Sequence, residues 1–168
     1  GKSASFTAPN GPSQEAVVGV AMQPQNMVDC IEAHGTGTAL GDPTESGAVT
    51  MVYGMRNVPL ALGAVKANLG HCEAASGLAG LVRVGDDVTG ILSLGNAQLR
   101  SLNPLVSQLL AARFLLPVQN VAWRLACGVS SFGASGTIAH LLLALGRRDF
   151  GTTEDPHLKF HSQALAYR

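Results

Sequence analysis

Histidine and lysine side chains in two short polar segments are the residues of this sequence best suited to chemistry. His34 lies among small hydroxylated residues in EAHGTGTALGDPTESG, and Lys66 and His71 lie in VKANLGHCEAASG. An imidazole in such a loop can act as a general base, as a hydrogen-bond donor to a developing oxyanion, or as a metal ligand. A structural role is the alternative, and we assign it to His140, which lies inside the apolar segment TIAHLLLAL.

Two other kinds of site are possible on residue type. The segment GTGTALGD resembles a phosphate-binding loop, but it lacks the Gly-Lys-Ser/Thr ending and leads into Asp42, whose carboxylate repels phosphate. A zinc site could use His34, His71 and Asp42, but no two of these lie at the short spacing typical of zinc ligands. Neither kind of site is supported by the spacing, and we predict no bound metal or cofactor.

The elements around His34 are predicted from strand and helix-capping patterns. The apolar run VDCIEA predicts a buried strand that ends at His34. In the segment DPTE, Asp42 can cap a helix, proline suits the first helical position, and Glu45 can reach back to the cap amide. That helix should run to about Tyr53 and end at Gly54.

The other elements indicate an α/β layer fold. Ser13 can cap a helix in QEAVVGVAM, PLALGAVKAN predicts a second strand, and GHCEAASGLAGLVRV predicts a helix that begins close to His71. The small residues of that helix predict close packing against a neighbour, because glycine otherwise weakens a helix. ACGVSSFG and TIAHLLLAL predict a strand, a turn and a strand.

Residues 85–126 have a less regular pattern. A strand is possible near GILSLGNA and a loop at SLNPLV, and SQLLAARFLLPVQNVAW is compatible with helix or strand. Ligand crevices in such sheets form outside the carboxyl ends of the strands. The loops after the three clearer strands should therefore converge on one pocket.

Composition limits the partners and the compartment. Eleven basic and eleven acidic residues give no net charge, so neither nucleic acid nor an anionic membrane surface is a predicted partner. No apolar run approaches the roughly 20 residues of a membrane span. Only 13% of the 168 residues are charged, against about 25% in a typical domain, which predicts a surface buried against another segment or subunit.

The three cysteines suggest no cross-linked framework. Cys30, Cys72 and Cys127 lie far apart and form no CxxC pair, so neither a zinc cluster nor a disulfide framework is predicted. We expect a reducing compartment and a cytoplasmic protein. An organelle stays open, because the sequence does not begin with Met and the true N-terminus can be missing.

Three long segments resemble successive signatures of the β-ketoacyl synthases in the style of modular polyketide synthases. They are EAHGTGTALGDPTESGA, GAVKANLGHCEAASGLAGL and GVSSFGASGTIAH, with TAPNGPSQEAV and LRSLNP at matching places. The resemblance covers about residues 5–145 in the family's order. It implies a thiolase-like half domain, with a mixed β-sheet layered with α-helices, over residues 1–146. Residues 147–168 are expected to form a polar tail or linker.

The resemblance also implies an activity and its residues. Members of the family join an acyl group, held on an active-site cysteine, to a malonyl-type thioester carried on the phosphopantetheine arm of an acyl carrier protein, with loss of carbon dioxide. The pathway is polyketide or fatty acid biosynthesis. By motif match the catalytic residues are His34, His71 and Lys66. Contacts with the substrate or its carrier arm are expected from Thr36, Thr38, Asn68 and Phe132. Supporting roles fall to Glu73, as the carboxylate partner of Lys66, and to Asp42, as the cap that fixes the loop.

The departures from the family pattern matter equally. No segment resembles the Ala-Cys-Ser-rich surroundings of the family's nucleophile. Only Cys72 is predicted at a position that favours a reactive thiol, just inside the start of a helix. Even so, we do not expect it to be the nucleophile. Ala134 and Ile138 replace a bulkier residue and an Asn of the family.

Two hypotheses follow from the missing cysteine motif. In the first, the chain is the C-terminal half of a ketosynthase, inactive alone and completed by an N-terminal half, with a homodimer as the complete enzyme. In the second, it is a non-catalytic or degenerate fragment that acts as a partner or scaffold.

Overall fold

The computed structural model describes residues 8–21, 28–88, 95–97, 99–110, 113–119 and 126–144. The helices in these ranges are α1 (Gly11–Ala21), α2 (Gly41–Tyr53), α3 (Lys66–Leu69), α4 (Ser76–Val88) and α5 (Pro104–Leu110). The strands are β1 (Cys30–Glu32), β2 (Leu60–Gly63), β3 (Phe114–Leu115), β4 (Ala126–Phe132) and β5 (Ile138–Ala144). A 3-10 turn, Glu73–Ala75, precedes α4.

The five described strands form one mixed sheet in the order β3-β2-β1-β4-β5. The first four are parallel to their neighbours, and β5 returns antiparallel to β4. Parallel neighbours need crossover connections, and the helices between β1 and β2 and after β2 supply them. The sheet confirms the α/β prediction and the strand, turn and strand predicted for residues 126–145.

Apolar side chains cover both faces of the sheet. One core cluster joins Ile31, Leu60 and Leu62 to apolar residues of α1, α2 and α5. The other joins Cys30, Ala61 and further sheet residues to Val84 of α4. Consecutive strand residues fall into opposite clusters, as the two-residue period of a strand requires. Helices therefore pack on both faces.

Helix α4 lies close to the sheet at its glycines. A Cβ atom added at Gly77 would lie 2.7 Å from the hydroxyl oxygen of Ser131, and one at Gly80 would lie 3.1 Å from Glu32 Cγ. At Gly85, farther along the same helix, an added Cβ would meet nothing within 4 Å. The close packing predicted from the small residues is confirmed at Gly77 and Gly80.

Several predicted helix starts are wrong. Asn10, not Ser13, caps α1, because its side-chain oxygen accepts a hydrogen bond from the Ser13 N–H at 3.0 Å. Helix α2 begins at Gly41, before Asp42, and its Leu40 cap uses no side chain. Helix α4 begins at Ser76 rather than beside His71. The predicted end of α2 at Tyr53 and Gly54 is confirmed.

The irregular part of the chain is only partly described. The strand predicted near GILSLGNA falls mostly outside the described residues, and residues 95–97 form no strand. Pro104–Leu110 forms α5, so the loop predicted at SLNPLV gives way to a helix from Pro104 onward. The ambiguous segment after it contains the end of α5 and then strand β3. The tail predicted for residues 147–168 lies outside the described residues.

Two cysteines of the central strands are paired. Cys30 of β1 and Cys127 of β4 are register partners on adjacent parallel strands, and the structure joins their sulfurs as a disulfide. This single pair was not predicted, since the cysteine spacing indicated no disulfide framework. The two residues are 97 positions apart, so no spacing pattern could indicate that they meet.

The described helices lack the features of a membrane span. None of them has both the length and the apolar character to cross a bilayer.

Candidate functional site

Residues predicted for the site lie together at the carboxyl ends of three adjacent parallel strands. His34 follows β1 by two residues, Lys66 follows β2 by three, and Phe132 ends β4. The loops after β1 and β2 are pressed together, because a Cβ atom at Gly35 would lie 2.7 Å from Ala64 Cβ. Gly35 also has a φ of +43°, so glycine suits this position for two reasons. The predicted convergence of the loops is confirmed.

Two imidazole rings form the centre of this site. The ring centroids of His34 and His71 are 5.7 Å apart, with the ring planes at 84°. The Phe132 ring centroid lies 5.6 Å from that of His34. The His34 ring therefore lies close to both the His71 ring and the Phe132 ring.

The site opens on two cavities that share part of their lining. One has a volume of about 640 Å³ and extends from Lys66 toward Asn96 and Val106. The other has a volume of about 430 Å³ and extends from His34 and Phe132 toward α1. The side chains or backbones common to both belong to Thr36, Thr38, Glu45 and His71. His71 thus lines both cavities, whereas His34 lines only the smaller one.

Glu45 organises the loop after β1. Its buried carboxylate accepts hydrogen bonds from the backbone N–H groups of His34 at 2.8 Å and Gly35 at 2.9 Å. Burial raises the pKa of the Glu45 carboxyl to about 7, although these two hydrogen bonds favour its ionised form. The predicted role of Glu45, reaching back to the cap amide of its own helix, is wrong: it holds the histidine loop instead.

Asp42 and Thr38 hold the rest of that loop. Asp42 Oδ1 accepts a hydrogen bond from the Gly37 N–H at 3.1 Å, and Thr38 Oγ1 accepts one from the Gly41 N–H at 3.0 Å. Burial raises the pKa of the Asp42 carboxyl, and backbone hydrogen bonds from Gly37, Thr38 and Thr36 lower it. Asp42 thus binds the preceding loop, and the predicted capping of α2 by Asp42 is wrong.

His34 is held in its uncharged form. Burial lowers its pKa to about 4, and the positive charge of Lys66 and the neighbouring His71 add to that effect. Within the described part of the chain, the buried Nδ1 of His34 has no hydrogen-bond partner. A neutral imidazole at neutral pH can donate a hydrogen bond without carrying charge.

Lys66 is buried beside two acidic residues that were not predicted as its partners. Only 6% of Lys66 is exposed. Burial lowers the pKa of its ammonium group, whereas the charges of Glu32, Glu45 and Cys72 raise it. Glu32 is itself buried, pairs with Arg83, and accepts the Val65 N–H at 2.6 Å.

The predicted partner of Lys66, Glu73, is placed elsewhere. Its side chain is 86% exposed, and its Oε2 lies 3.8 Å from His71 Nε2. The charges that act on Lys66 come instead from Glu32 and Glu45. This prediction is wrong because Glu32 is far from Lys66 in sequence and reaches it only through the pairing of β1 with β2.

Two polar residues of the site were not predicted. The buried Ser76 hydroxyl lies 3.1 Å from His71 Nδ1. Asn96 accepts the Ala64 N–H and donates from Nδ2 to the carbonyls of Leu62 and Pro117, which ties the end of β2 to distant segments. A hydroxyl five residues after a histidine, at a helix start, is the signal that could have identified Ser76.

The remaining predicted residues differ in position. Thr36 and Thr38 line both cavities, and their hydroxyl oxygens are 3.2 Å apart. Asn68 is exposed and is not among the residues that line the cavities, and the Ala97 N–H lies 3.5 Å from its Oδ1. Cys72 is half-buried before the 3-10 turn, not inside a helix.

The described residues form no evident metal site. In the part of the chain that the structure describes, no three histidine, cysteine, aspartate or glutamate side chains are grouped so that they could hold a metal ion.

Comparison with known proteins identifies the family. The sequence model for "Beta-ketoacyl synthase, C-terminal domain" matches residues 1–86. Erythronolide synthase EryA2 of Saccharopolyspora erythraea is 41% identical over 95% of this chain. The spectinabilin polyketide synthase system protein NorB of Streptomyces orinoci is 39% identical over 93% of it. The chain spans only 5% and 8% of the lengths of these two relatives.

Solved structures agree with the sequence relatives. The oxazolomycin ketosynthase domain OzmH KS7 of Streptomyces albus superimposes with a TM-score of 0.82 at 28% identity, over 92% of this chain and 30% of that one. Ketosynthase twelve of the bacillaene polyketide synthase of Bacillus amyloliquefaciens gives 0.77 at 30% identity, over 87% and 28%. The fold is thus the thiolase-like fold of ketosynthases, and the chain belongs to the β-ketoacyl synthase family, within its C-terminal domain.

Proposed function

We propose that this chain supplies the two-histidine part of a ketosynthase site and that an N-terminal half supplies the nucleophilic cysteine. The reaction is a decarboxylative Claisen condensation between an acyl thioester and a malonyl-type thioester on acyl carrier protein. The observation that carries the proposal is the placement of His34 and His71 with ring centroids 5.7 Å apart, both lining the smaller cavity, with His71 also lining the larger one. Such an arrangement suits two donors to one thioester oxygen.

The bond changes assign a task to each histidine. Cleavage of the malonyl carboxylate releases carbon dioxide, and the electron pair of the broken C–C bond forms an enolate. Imidazole N–H groups of His34 and His71 stabilise the negative charge on the enolate oxygen. The enolate carbon then attacks the acyl thioester carbonyl, a C–C bond forms, and the cysteine of the N-terminal half leaves as a thiolate.

The uncharged state of the His34 ring supports this donor role. A histidine with a pKa of about 4 is neutral at physiological pH, so one of its ring nitrogens carries a proton that it can share. Lys66 contributes to that low pKa through its positive charge. We assign Lys66 the task of keeping the His34 ring neutral.

Threonine hydroxyls give the carrier arm a place to bind. Thr36 and Thr38 line both cavities beside the histidines. Their hydroxyl groups can hydrogen-bond the amides of a phosphopantetheine arm. We assign Phe132, 5.6 Å from the His34 ring, as a wall of the acyl-binding volume.

The cysteines of the chain explain the need for a second half. Cys30 and Cys127 are buried in the sheet and joined to each other, and Cys72 does not line either cavity.

Exposed apolar side chains on α4, Leu78 and Val82, lie on the helix that follows His71. We assign this face of α4 to contact with the N-terminal half. We assign a homodimer as the oligomeric state of the complete enzyme.

The same cysteine placement favours a second candidate function. If no cysteine reaches the histidines, the chain acts as a non-catalytic partner or scaffold that retains the fold. A reconstituted complex with the N-terminal half of a related ketosynthase separates the two candidates, because only the first predicts catalysis.

The test is the release of carbon dioxide from malonyl-loaded acyl carrier protein by that complex. His34→Ala and His71→Ala should each lower the rate by about 100-fold, as expected for one lost oxyanion donor. His140→Ala is the control, since His140 lines neither cavity. Equal rates for the parent, His34→Ala and His71→Ala would exclude the catalytic assignment.

A further inference from the structure

The hydrogen bond between Ser76 and His71 has a consequence for which ring nitrogen of His71 carries a proton. Ser76 is the first residue of α4 and is only 2% exposed, and its hydroxyl oxygen lies 3.1 Å from His71 Nδ1. His71 lines both cavities of the site. Ser76 therefore contacts one of the two proposed oxyanion donors at its Nδ1 atom and leaves Nε2 for the substrate.

The direction of this hydrogen bond follows from the needs of a buried hydroxyl. A hydroxyl removed from water must donate its proton to some acceptor, and leaving that bond unmade is costly. Among the described residues, His71 Nδ1 is the hydrogen-bond partner found for the Ser76 side chain. When Nδ1 accepts, a neutral imidazole must carry its own proton on Nε2.

We propose that Ser76 is a positioning residue that holds His71 in the tautomer with the proton on Nε2. The inference rests on the proposed function, because a donor at Nε2 matters only if His71 stabilises an oxyanion. In the other tautomer Nε2 is an acceptor, which would repel the enolate oxygen. The helix start at Ser76 thus selects which chemistry the His71 ring can perform.

A second serine and histidine pair in the same chain provides a matched control. The Ser130 hydroxyl lies 3.0 Å from His140 Nδ1, and Ser130 is 1% exposed. Neither residue lines the two cavities. Ser76→Ala and Ser130→Ala each remove one buried hydroxyl from one histidine, but only the first change is at the site.

The first experiment identifies the tautomers directly. Long-range proton–nitrogen NMR correlations of the histidine rings are recorded for the full chain at about pH 8, where ordinary histidines are neutral. His71 should show a proton on Nε2 in the parent and a mixture of tautomers in Ser76→Ala. Ser130→Ala should leave the His71 pattern unchanged. A proton on Nδ1 in the parent, or the same pattern in Ser76→Ala, would overturn the proposal.

The second experiment measures the rate in the reconstituted complex. Ser76→Ala should lower kcat by about tenfold with an unchanged KM, and Ser76→Thr, which keeps the hydroxyl, should restore most of it. In a His71→Ala background, Ser76→Ala should have no further effect, because the two residues act as one unit. Additive losses, or no loss in Ser76→Ala, would contradict a positioning role.

The two experiments also separate this inference from the proposed function. If His71→Ala leaves the rate unchanged, the proposed function fails, while the NMR pattern still reports whether Ser76 sets the tautomer. If His71→Ala abolishes the rate but the tautomer is insensitive to Ser76, only the positioning role fails.

Discussion

Three features of its surroundings oppose protonation of His34. Burial makes the largest contribution to the lowered pKa, and the positive charges of Lys66 and of a protonated His71 add to it. Because the folded pKa lies below the ordinary value, the unfolded chain binds the proton more tightly between about pH 6.5 and 4. His34 therefore contributes stability that is present above about pH 6.5 and is lost as the pH falls toward 4.

Replacement of Lys66 by Met tests the charge contribution. Lys66→Met removes a buried positive charge, so the pKa of His34 should rise from about 4 toward its ordinary value of 6.5. An NMR titration of the histidine rings measures it. His140 is an internal control, since burial alone lowers its pKa to about 4 and Lys66 has no part in that shift. A His34 pKa that stays at about 4 would contradict the assigned role of Lys66.

Glu45 is the residue on which the shape of the histidine loop depends. A glutamine in its place has one acceptor oxygen, so either the His34 N–H or the Gly35 N–H faces an amide donor. Glu45→Gln should lower the free energy of unfolding by about 1 to 3 kcal/mol at pH 7, measured by urea denaturation. Glu15→Gln on α1 should change it by less than about 0.5 kcal/mol.

The pH dependence gives Glu45→Gln a second readout. A carboxyl whose folded pKa is raised to about 7 contributes stability that is present below about pH 4.5 and is lost as the pH rises through 7. Glu45→Gln lacks this titration. Its unfolding free energy should therefore not show the decrease that this carboxyl causes in the parent between pH 4.5 and 7. An identical pH profile for both proteins would mean that the folded chain does not raise the pKa of Glu45.

At the scale of elements, helix α4 carries a test of close packing. Gly77→Ala should lower the free energy of unfolding by about 1 to 3 kcal/mol, because its Cβ would lie 2.7 Å from the Ser131 hydroxyl. Gly85→Ala on the same helix should raise it by about 1 kcal/mol, since the space there is open and alanine favours a helix. Thermal and urea unfolding measure both changes. Equal effects at the two positions would contradict the packing of α4 on β4.

The elements could be predicted from the sequence where a local pattern decides them. Strand β1, the end of α2 and the β4–β5 pair follow from apolar runs and glycine positions. The start of α2 could not be predicted in the same way, because Asp42 and Glu45 have the residue types of a capping box but direct their carboxylates to the preceding loop. Local capping competes with a loop that packs against the same helix end.

Contacts between distant elements were the harder part of the site. His34, His71 and Phe132 were predicted to lie together because the ends of the three predicted strands should converge on one pocket. The partners of Lys66 were missed, since sequence distance favoured Glu73 while the β1–β2 register brings Glu32 close. The pairing of Cys30 with Cys127 depends on a register in the same way. Registers are set by the whole core, which no short segment encodes.

At the scale of the whole molecule, the apolar surface predicts association. Leu78 and Val82, one turn apart on α4, are 61% and 55% exposed. Burial of such side chains is favourable, so the chain alone should self-associate and bind a hydrophobic dye. Replacing both with Lys should shift the sedimentation profile toward monomer. The same change at Met51 and Met55, at the end of α2 and just beyond it, is the control and should have a smaller effect.

A monomeric parent without dye binding would contradict this expectation. A monomer whose dye binding is unchanged by the Leu78 and Val82 replacements would place the exposed apolar surface elsewhere on the molecule. Addition of the N-terminal half should compete with self-association if the α4 face is the contact between halves.

The strand order also has a consequence for synthesis on the ribosome. Strand β1 is central, but both of its neighbours are made later: β2 begins 28 residues after β1 ends, and β4 begins 94 residues after it, at Ala126. While the chain emerges, one edge of β1 has no sheet partner until β4 has left the exit tunnel. A nascent chain stalled before residue 126 should be sensitive to protease within the His34 loop, and one stalled well beyond residue 144 should be protected. Phe132, which ends β4, is thus brought beside His34 late in translation.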